Sequence, residues 1–442
     1  MWEIVSNIVS RATDLFVVRG IADQLLEHLL CNIADRLSRG GPLFVKIGQY
    51  LSTKQNLLPI RFVERLKHLQ SQNRFTVPRI AELGLPFEIP LIIRCIGSGS
   101  IAAVFCVLDV GTKKKYAVKV KHPMLSSEIS KNAKQLRRII SGLRLVPNWE
   151  MFWGIRSLAY FFTDELVDAM SDQQDFGSEM EIQNRIRSFL RPARHLVRIP
   201  SVCFQNEHLM VQTYEEGQTM LELEKQYGIR MVVQAISLLQ TTFHNLVYYF
   251  GFVHQDLHEG NFRFRVDPRT KQLSILIYDF GYVRTMDNEQ HELFRAVFRN
   301  GLIPNMVEFI DRIRSDNTDN PNWGLFYESI ERHPSMYVVT QVIKQTIYEI
   351  DEPEFRRMFD QYDAGGLVVD ILRGAIRHQI KIDPAMLSIL FNMTYMMDYE
   401  KNFYDQDLEM SLLKFRYLAI YDAAFRVAIG GDRLGEAFRP RG

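Results

Sequence analysis

The sequence predicts an α+β protein with two lobes, in which a sheet-rich lobe precedes a mainly helical lobe and a helical extension precedes both. Apolar residues recur at helical spacing through residues 1–38. Short apolar segments typical of strands then lie near 91–96 and 101–108, and a segment that alternates in the manner of a strand lies at 116–121. From Leu221 onwards helical patterns dominate. A run of strands followed by a run of helices is typical of the α+β class.

The length and composition of the chain fit a division into parts. At 442 residues the chain is too long for one ordinary hydrophobic core, and 47% of its residues are hydrophobic. We expect a helical N-terminal extension at 1–88, an N-lobe with a helical insertion at 89–217, and a mainly helical C-lobe at 218–442.

The charge balance argues against nucleic acid as a partner. The formal net charge is +1, and the basic trio Lys113 to Lys115 has the pattern of a solvated hairpin tip. Nucleic-acid-binding proteins instead concentrate Lys and Arg in stripes or patches. The sequence therefore predicts no nucleic-acid binding through bulk charge.

Cysteine usage and hydropathy predict an intracellular protein. The four cysteines, which we expect to be reduced core residues because they lack paired spacing, are Cys31, Cys95, Cys106 and Cys203. No run of about 18 apolar residues occurs, so we expect no transmembrane segment. The acidic residues near the N-terminus suit neither a secretory signal nor a transit peptide. The expected location is the cytoplasm or the interior of an organelle such as a mitochondrion.

Three polar residues have the spacing of a phosphotransferase catalytic core. Residues 251–261 read G-F-V-H-Q-D-L-H-E-G-N, and residues 273–281 read L-S-I-L-I-Y-D-F-G. Asp256 and Asn261 lie on a predicted loop, and Asp279 follows a short apolar strand. In kinases the loop Asp accepts the acceptor's proton, while the Asn and the Asp of D-F-G hold Mg²⁺ on the phosphates. The spacing therefore predicts Asp256 as the catalytic base and the other two as metal ligands.

The same loop allows two other interpretations. His254, Asp256 and His258 form an H-x-D-x-H pattern that offers two imidazoles and a carboxylate to zinc. Such a site needs a third firm ligand and support around it, which the sequence does not show. Alternatively, His254 is structural and holds the catalytic loop against the backbone of D-F-G.

A glycine-rich segment, I-G-S-G-S-I-A-A-V-F, has the features of a phosphate-binding loop. It contains Gly97, Ser98, Gly99 and Ser100 between two predicted strands. Glycine lets the backbone approach phosphate oxygens closely, and N–H groups exposed in a turn favour anions. Because a strand follows rather than a helix, a dinucleotide-binding fold is disfavoured. We expect the segment to cover the phosphates of ATP or ADP, with a plain glycine-rich hairpin as the alternative.

The strand K-Y-A-V-K-V-K places Lys119 where kinases have the lysine that contacts the phosphates. A buried ammonium needs a carboxylate partner. Two glutamates of a following helical segment, Glu179 and Glu181, are candidates. A later apolar strand leads to Glu215, where kinases have the hinge whose backbone reads adenine, so we also expect this residue to bind the cofactor.

Six segments, in the same order, make the sequence similar to the UbiB family of atypical kinases, also called aarF-domain kinases. They are K-x-G-Q from Lys46 to Gln49, the glycine loop, A-V-K ending at Lys119, D-F-x-x-E ending at Glu179, H-x-D-x-H-x-G-N and D-F-G. The similarity runs from Gly41 to Arg284. The D-F-x-x-E segment favours Glu179 over Glu181 as the partner of Lys119.

The resemblance implies a protein kinase-like fold that binds ATP or ADP with Mg²⁺. It also implies that Lys46 and Gln49, on the helical extension, cover the place where a peptide substrate would otherwise dock. Known members act as ATPases or small-molecule kinases in isoprenoid-quinone and lipid metabolism, on or near membranes. We therefore expect a small-molecule or lipid acceptor. The amphipathic N-terminal helices would contact a membrane surface peripherally or bind a protein partner.

The sequence departs from the family pattern at several positions. Gly97 and Gly99 replace alanines of the family loop, which moves it toward ordinary kinases. Gln173 replaces an acid, and Leu257 and Glu259 replace two prolines, which predicts a less rigid catalytic loop. The lost acid motivates a second hypothesis, a nucleotide-binding pseudokinase that acts as a scaffold, beside an active ATP-dependent phosphotransferase or ATPase.

Overall fold

A computed structural model gives the chain as two compact units. The first comprises residues 1–77, 98–103 and 121–174, and the second comprises 78–97, 104–120 and 175–442. Within them the structure describes residues 28, 31–32, 34–35, 44–45, 47–48, 60–67, 84–87, 90–98, 101–122, 130–135, 137–138, 141, 175–298, 306–331, 333, 364–404 and 408–430. The boundaries expected at residues 88 and 217 stay predictions.

Strands and helices of the described residues are numbered in chain order. The strands are β1 (Pro90–Ser98), β2 (Ala102–Asp109), β3 (Lys114–Lys121), β4 (Val197–Arg198), β5 (Val202–Gln205), β6 (Leu209–Thr213), β7 (Phe252–His254), β8 (Phe262–Val266), β9 (Leu273–Ile277) and β10 (Val283–Thr285). The helices are α1 (Ile60–Lys67), α2 (Phe176–Phe189), α3 (Met220–Tyr227), α4 (Ile229–Phe250), α5 (Asn288–Val297), α6 (Met306–Ser315), α7 (Trp323–Glu331), α8 (Ala364–His378), α9 (Pro384–Lys401) and α10 (Leu408–Ile429).

In the first unit, α1 is an amphipathic helix. Phe62, Val63 and Leu66 are buried, at spacings that place residues on one side of a helix. The Arg65 guanidinium donates two hydrogen bonds to the Asp35 carboxylate, at 2.7 and 3.0 Å. Exposed pairs of this kind stabilise a fold only slightly. Burial of the apolar side therefore holds α1 in place.

The largest sheet of the described residues has five strands in the order β1-β2-β3-β6-β5. Strands β3 and β6 are antiparallel, and Lys119 lies opposite Met210. Val118 and Val120 are buried on one face of β3. Because successive side chains of a strand point to opposite faces, Lys119 projects from the other face.

Helix α2 begins with a capped N-terminus that explains part of the D-F-x-x-E segment. The Asp175 side chain accepts hydrogen bonds from the Gly177 N–H at 2.9 Å and from the Ser178 hydroxyl at 2.6 Å. An Asp at this position satisfies backbone groups that have no partner within the helix. Glu179 and Gln183, four positions apart, are both buried on one side of α2.

The helical part of the second unit is built around α4, which is buried along most of its length. Helix α10 packs against α4, and the Gln234 side chain donates a hydrogen bond to the Tyr421 hydroxyl at 2.8 Å. Helix α4 ends at Gly251, whose φ of +66° lies in the left-handed region. Glycine adopts this conformation without strain, so the chain reverses here into β7.

Two small sheets carry the catalytic segments. Strand β9 pairs with β8 antiparallel and with β4 parallel, and β7 pairs with β10. The sequence predicted only helices beyond Gly281, and β10 corrects that prediction. Strand β10 is three residues long, and it forms because its backbone pairs with β7, which lies far earlier in the chain.

The structure confirms the predicted α+β fold, with a sheet-rich lobe followed by a mainly helical one. The four cysteines are free, but Cys95 and Cys203 are exposed, so the expectation that all four are core residues was wrong. The reason is that β1 and β5, which carry these two residues, are the edge strands of the sheet. Among the described helices, none is both long and apolar enough to span a bilayer.

Candidate active site

An ammonium group joins two carboxylates from distant parts of the chain. The Lys119 Nζ atom lies 2.8 Å from both oxygens of Glu179 and 3.2 Å from Oδ1 of Asp279. The Glu179 side chain is 1% exposed, whereas that of Asp279 is 38% exposed. Strand β3, helix α2 and the D-F-G segment therefore meet at one point. Of the two candidate glutamates, the structure pairs Glu179 with Lys119, and Glu181 is exposed.

The charges in this cluster compensate for burial. Burial alone would lower the pKa of Lys119, but the negative charges of Asp279 and Glu179 outweigh that effect and raise it. Burial raises the pKa of Glu179, the Lys119 ammonium lowers it, and the Asp279 carboxylate raises it further, so that the net shift is upward. Lys119 therefore stays charged at neutral pH.

Asp279 is held in position by its own backbone segment. Its Oδ1 atom accepts a hydrogen bond from the Gly281 N–H at 2.9 Å. A Cβ atom built on Gly281 would lie 3.2 Å from Asp279 Oδ1 and 3.3 Å from Glu179 Oε2. A side chain at Gly281 would lie tightly against both carboxylates, which favours the glycine of D-F-G.

His254 connects the catalytic loop to D-F-G. Its Nε2 atom lies 2.9 Å from the Asp279 carbonyl oxygen, and its ring packs edge-on against Phe243 at 5.6 Å. Burial lowers the pKa of His254, although the hydrogen bond to Asp279 and the nearby carboxylates oppose this. A neutral ring that donates from Nε2 fits these contacts. The structural role expected for His254 agrees with this geometry, and the described residues contain no cluster of three metal-ligating side chains.

The loop after β7 arranges Asp256 and Asn261. The Asn261 amide nitrogen donates a hydrogen bond to the Asp256 carbonyl at 2.8 Å. The Gly260 N–H donates to Nδ1 of His258 at 3.0 Å. Nε2 of the same ring lies 3.2 Å from the Asn261 amide nitrogen and 3.5 Å from Asp256 Oδ1. A 3-10 turn over Glu259–Asn261 then leads into β8. The loop thus orients both Asp256 and Asn261 through short local contacts.

Two residues far along the chain, which the sequence did not indicate, hold this loop. The Asn392 amide donates to the His254 carbonyl at 2.6 Å, and the Glu259 N–H donates to the Tyr395 hydroxyl at 3.1 Å. The Glu259 carboxylate accepts from the Met220 N–H at 3.3 Å. The replacement of a proline by Glu259 therefore adds anchoring contacts where a less rigid loop was expected.

Glu215 lies two residues after β6, in the segment expected to be the hinge. Its carboxylate forms ion pairs with Arg198 at 3.5 Å and Arg265 at 3.4 Å. Its backbone carbonyl accepts a hydrogen bond from the Tyr278 hydroxyl at 3.1 Å. The side chain of Glu215 is therefore engaged by arginines, and the backbone of Glu215 is the part that faces the segment before D-F-G.

Several expected site residues lie outside the described residues. In the glycine loop, Gly97 is exposed near the end of β1, and Ser98 is its last residue. Among the described residues, a Cβ atom built on Gly97 would meet only Val104, at 3.9 Å, so packing against them does not require glycine there. The expected residues that the structure does not describe are Lys46, Gln49, Gly99, Ser100 and Gln173.

The lysine of β3, the glutamate of α2 and the aspartate of D-F-G together define a protein kinase-like fold. Residues 92–308 match the ABC1 atypical kinase-like domain, a range that includes Lys119, Asp256 and Asp279. This match and the relatives below support a divergent member of the UbiB, or aarF-domain, family.

Relatives share this domain at modest identity. The aarF domain-containing protein kinase 1 of Xenopus tropicalis is 25% identical over 260 residues, covering 55% of this chain and 47% of the relative. A chloroplastic aarF domain-containing protein kinase of Arabidopsis thaliana is 22% identical over 375 residues, covering 82% of this chain and 49% of the relative. The chain thus spans about half the length of these curated relatives.

Two solved structures are also similar to the chain at low identity. The complex of Rv3197 with erythromycin from Mycobacterium tuberculosis is 17% identical, with a TM-score of 0.40 over 84% of this chain and 95% of that one. The Rio2 kinase complex with ADP/Mg²⁺ and phosphoaspartate from Chaetomium thermophilum is 12% identical, with a TM-score of 0.26 over 70% and 71%.

Proposed function

We propose that the chain is an ATP-dependent phosphotransferase or ATPase that uses Mg²⁺ and transfers a phosphoryl group to water or to a small-molecule or lipid acceptor. The observation that carries the proposal is the contact of the Lys119 ammonium with Glu179 at 2.8 Å and with Asp279 at 3.2 Å. In kinases the corresponding lysine and aspartate meet the phosphates of one nucleotide.

Glu179 would position Lys119 for the phosphates. Because the Glu179 side chain is almost fully buried, it would keep its ion pair with the Lys119 ammonium when Asp279 binds a metal ion. A lysine held by a carboxylate on one side can present its remaining N–H groups to phosphate oxygens on the other. Lys119 would thereby orient the nucleotide through charge without giving up a proton.

Asn261 and Asp279 would hold Mg²⁺. They lie close together because the Tyr278 N–H, next to Asp279, donates to the Asn261 carbonyl at 3.0 Å. The Asn261 amide nitrogen donates a hydrogen bond to the Asp256 carbonyl, and the amide oxygen would bind the metal ion. Carboxylate and amide oxygens suit Mg²⁺, whose remaining ligands are waters and phosphate oxygens. When bound, the ion would neutralise charge on the transferred phosphoryl group.

Asp256 would accept the proton of the acceptor hydroxyl or orient a water. Its backbone is tied to Asn261, and His258 lies 3.5 Å from its carboxylate. Such positioning, together with electrostatics, supplies most of the rate enhancement in phosphoryl transfer.

The short connection after D-F-G favours a small acceptor over a protein. Strand β10 begins at Val283, two residues after Gly281, and α5 begins at Asn288. Protein kinases need a longer segment here to form a platform for a peptide. We therefore infer a lipid or small molecule related to quinone precursors, reached inside a cell at a membrane surface. The sequence predicts amphipathic helices in residues 1–38, most of which lie outside the described part of the chain. This segment would provide that peripheral contact or bind a protein partner.

The substitution Asp256→Asn tests the proposal. We expect the purified full chain to release phosphate from MgATP, and the variant to bind ATP with unchanged affinity but to lose about 100-fold or more in turnover, since removal of a proton acceptor typically costs 10²–10⁴-fold. Asp319→Asn, an exposed residue outside the site, is the matched control and should keep full activity. Unchanged ATP hydrolysis in Asp256→Asn would refute the assigned role.

A nucleotide-binding pseudokinase that acts as a scaffold is the second candidate, favoured by Gln173 in place of the family's acid. It predicts stabilisation by nucleotide with no phosphate release in the presence of lipid or quinone precursors. Measurable turnover that depends on Asp256 would exclude it.

A further inference from the structure

The residue before D-F-G is Tyr278, whose backbone and side chain each donate a hydrogen bond to another part of the chain. The Tyr278 N–H donates to the Asn261 carbonyl at 3.0 Å. The Tyr278 hydroxyl donates to the Glu215 carbonyl at 3.1 Å. One side chain therefore reaches from the expected metal ligands to the segment that follows β6.

The Tyr278 side chain extends from the residue next to Asp279 to the Glu215 backbone, where the base of a nucleotide is expected to bind. Glu215 follows β6, and β6 pairs with β3, which carries Lys119. Tyr278 is bonded covalently to Asp279, which contacts Lys119. A nucleotide with its phosphates at Lys119 and its base at the backbone of Glu215 would have to share this space with the Tyr278 ring.

The environment of the hydroxyl supports a fixed, neutral tyrosine. Burial raises the pKa of Tyr278, opposed by the nearby Arg263 guanidinium. Arg263 is itself held, since its guanidinium donates to the carbonyls of Glu259 and Phe262. The neighbouring Tyr214 differs, because its hydroxyl accepts from Arg94 at 3.1 Å. Among these residues it is Tyr278 that links the D-F-G side to the hinge backbone.

We propose that the Tyr278 side chain, with its bond to the Glu215 carbonyl, is a gate over the base-binding part of the cleft. A purine base binds when the ring swings away and the hinge backbone is released. The inference rests on the proposed function, because it assigns the closed state to the same nucleotide site.

Such a gate has a measurable effect on affinity. When only a fraction of the molecules is open, the apparent dissociation constant is the intrinsic one divided by that fraction. The cost falls on every ligand that carries a base, and it spares a ligand made of phosphates alone. Removal of the ring should therefore increase the affinity for adenosine and for ATP by the same factor.

Isothermal titration of the full chain with ATP, adenosine and inorganic tripolyphosphate, in the presence of Mg²⁺, tests the gate. For Tyr278→Leu we expect about tenfold tighter binding of ATP and of adenosine, as for a gate open in about one molecule in ten, with tripolyphosphate unchanged. Tyr278→Phe, which keeps the ring and loses the hydroxyl bond, should show a smaller gain in the same direction. Tyr214→Phe is the matched control and should match the parent.

Three outcomes would overturn the gate. If Tyr278→Leu binds adenosine more weakly while Tyr278→Phe is unchanged, the ring is a stacking surface for the base. If the parent binds ATP and neither variant differs from it, the gate is wrong and the proposed function stands. If neither parent nor variants bind ATP, the proposed function fails and the gate fails with it. Melting temperatures measured without ligand show whether each variant folds. If Tyr278→Leu does not fold, the affinities of Tyr278→Phe for ATP and adenosine test the gate.

Discussion

The Nε2 atom of His254 lies 2.9 Å from the backbone carbonyl oxygen of Asp279. This contact connects the end of β7, just before the catalytic loop, to the backbone of the residue whose carboxylate meets Lys119. On the other ring nitrogen, Nδ1 has no hydrogen-bond partner among the described residues. Protonation of the ring would therefore place an unpaired charge in a buried position, and the site should be sensitive to acid.

We expect this histidine to contribute to acid instability. Burial lowers the pKa of folded His254 below the usual value, so the unfolded chain binds more protons and the free energy of unfolding falls as the pH falls below about 6.5. The contribution between pH 7 and pH 5.5 should be about 1 kcal/mol. Urea unfolding of the parent and of His254→Gln should show that the variant loses less stability over this range. Equal losses would contradict the neutral buried ring.

Glu179→Gln should impair nucleotide binding and turnover, because the amide cannot neutralise the Lys119 ammonium. We expect a loss of about 100-fold in kcat/KM, or about 2.7 kcal/mol. The matched control is Glu181→Gln, two residues along the same helix and exposed. ATPase kinetics of both variants decide the matter, and a greater loss in Glu181→Gln would mean that the wrong glutamate has been paired with the lysine.

Lys119→Met should destabilise the fold in a pH-dependent way. Loss of the ammonium leaves Glu179 buried and unpaired, which typically costs about 3 kcal/mol. The pKa of Glu179 is already raised, so the folded variant binds a proton more readily than the unfolded chain, and its stability should fall as the pH rises from 6 to 8. Chemical denaturation at the two pH values measures this. The exposed Lys114→Met, on the same strand, should behave like the parent at both.

Gly217→Ala should distort the segment after β6. A Cβ atom there would lie 2.5 Å from Leu276 Cδ1 and 2.6 Å from Arg263 Cβ. Overpacking of this kind costs about 1–3 kcal/mol, and the shift should also weaken nucleotide binding. In Gly324→Ala, on helix α7, the added methyl group meets no atom of the described residues within 4 Å, so stability should rise by up to about 1 kcal/mol. Thermal melting of both variants measures these effects. An unchanged melting temperature in Gly217→Ala would mean that the segment after β6 is not packed as described.

The sequence predicted the fold class and the family because their signals are local. The spacing of Asp256, Asn261 and Asp279 lies within one short stretch, and the alternating pattern around Lys119 marks a strand. Helical periodicity after Leu221 likewise extends over many residues. Patterns of this kind can be read without knowing which distant segments meet.

The remaining features depend on contacts between distant segments. Asn392 and Tyr395 support the catalytic loop from more than a hundred positions away, and neither belongs to a recognisable motif. Strand β10 forms only because β7 is available to pair with it. Cys95 is exposed because β1 lies at the edge of the sheet, and strand order cannot be read from hydropathy. The hydrogen bond from the Tyr278 hydroxyl to the Glu215 carbonyl likewise joins residues 63 positions apart, so it can be recognised only in the folded structure.

We expect Lys119, Glu179 and Asp279 to surround the phosphates of a bound nucleotide. The most direct test is the change in stability of the full chain when MgATP is added, measured by thermal unfolding with the parent and with Lys119→Met. At a concentration of about 100 times the dissociation constant, ATP should stabilise the parent by about 2.7 kcal/mol, and the variant by much less at the same concentration. No change in the parent at any ATP concentration, or equal stabilisation of both proteins, would contradict the claim.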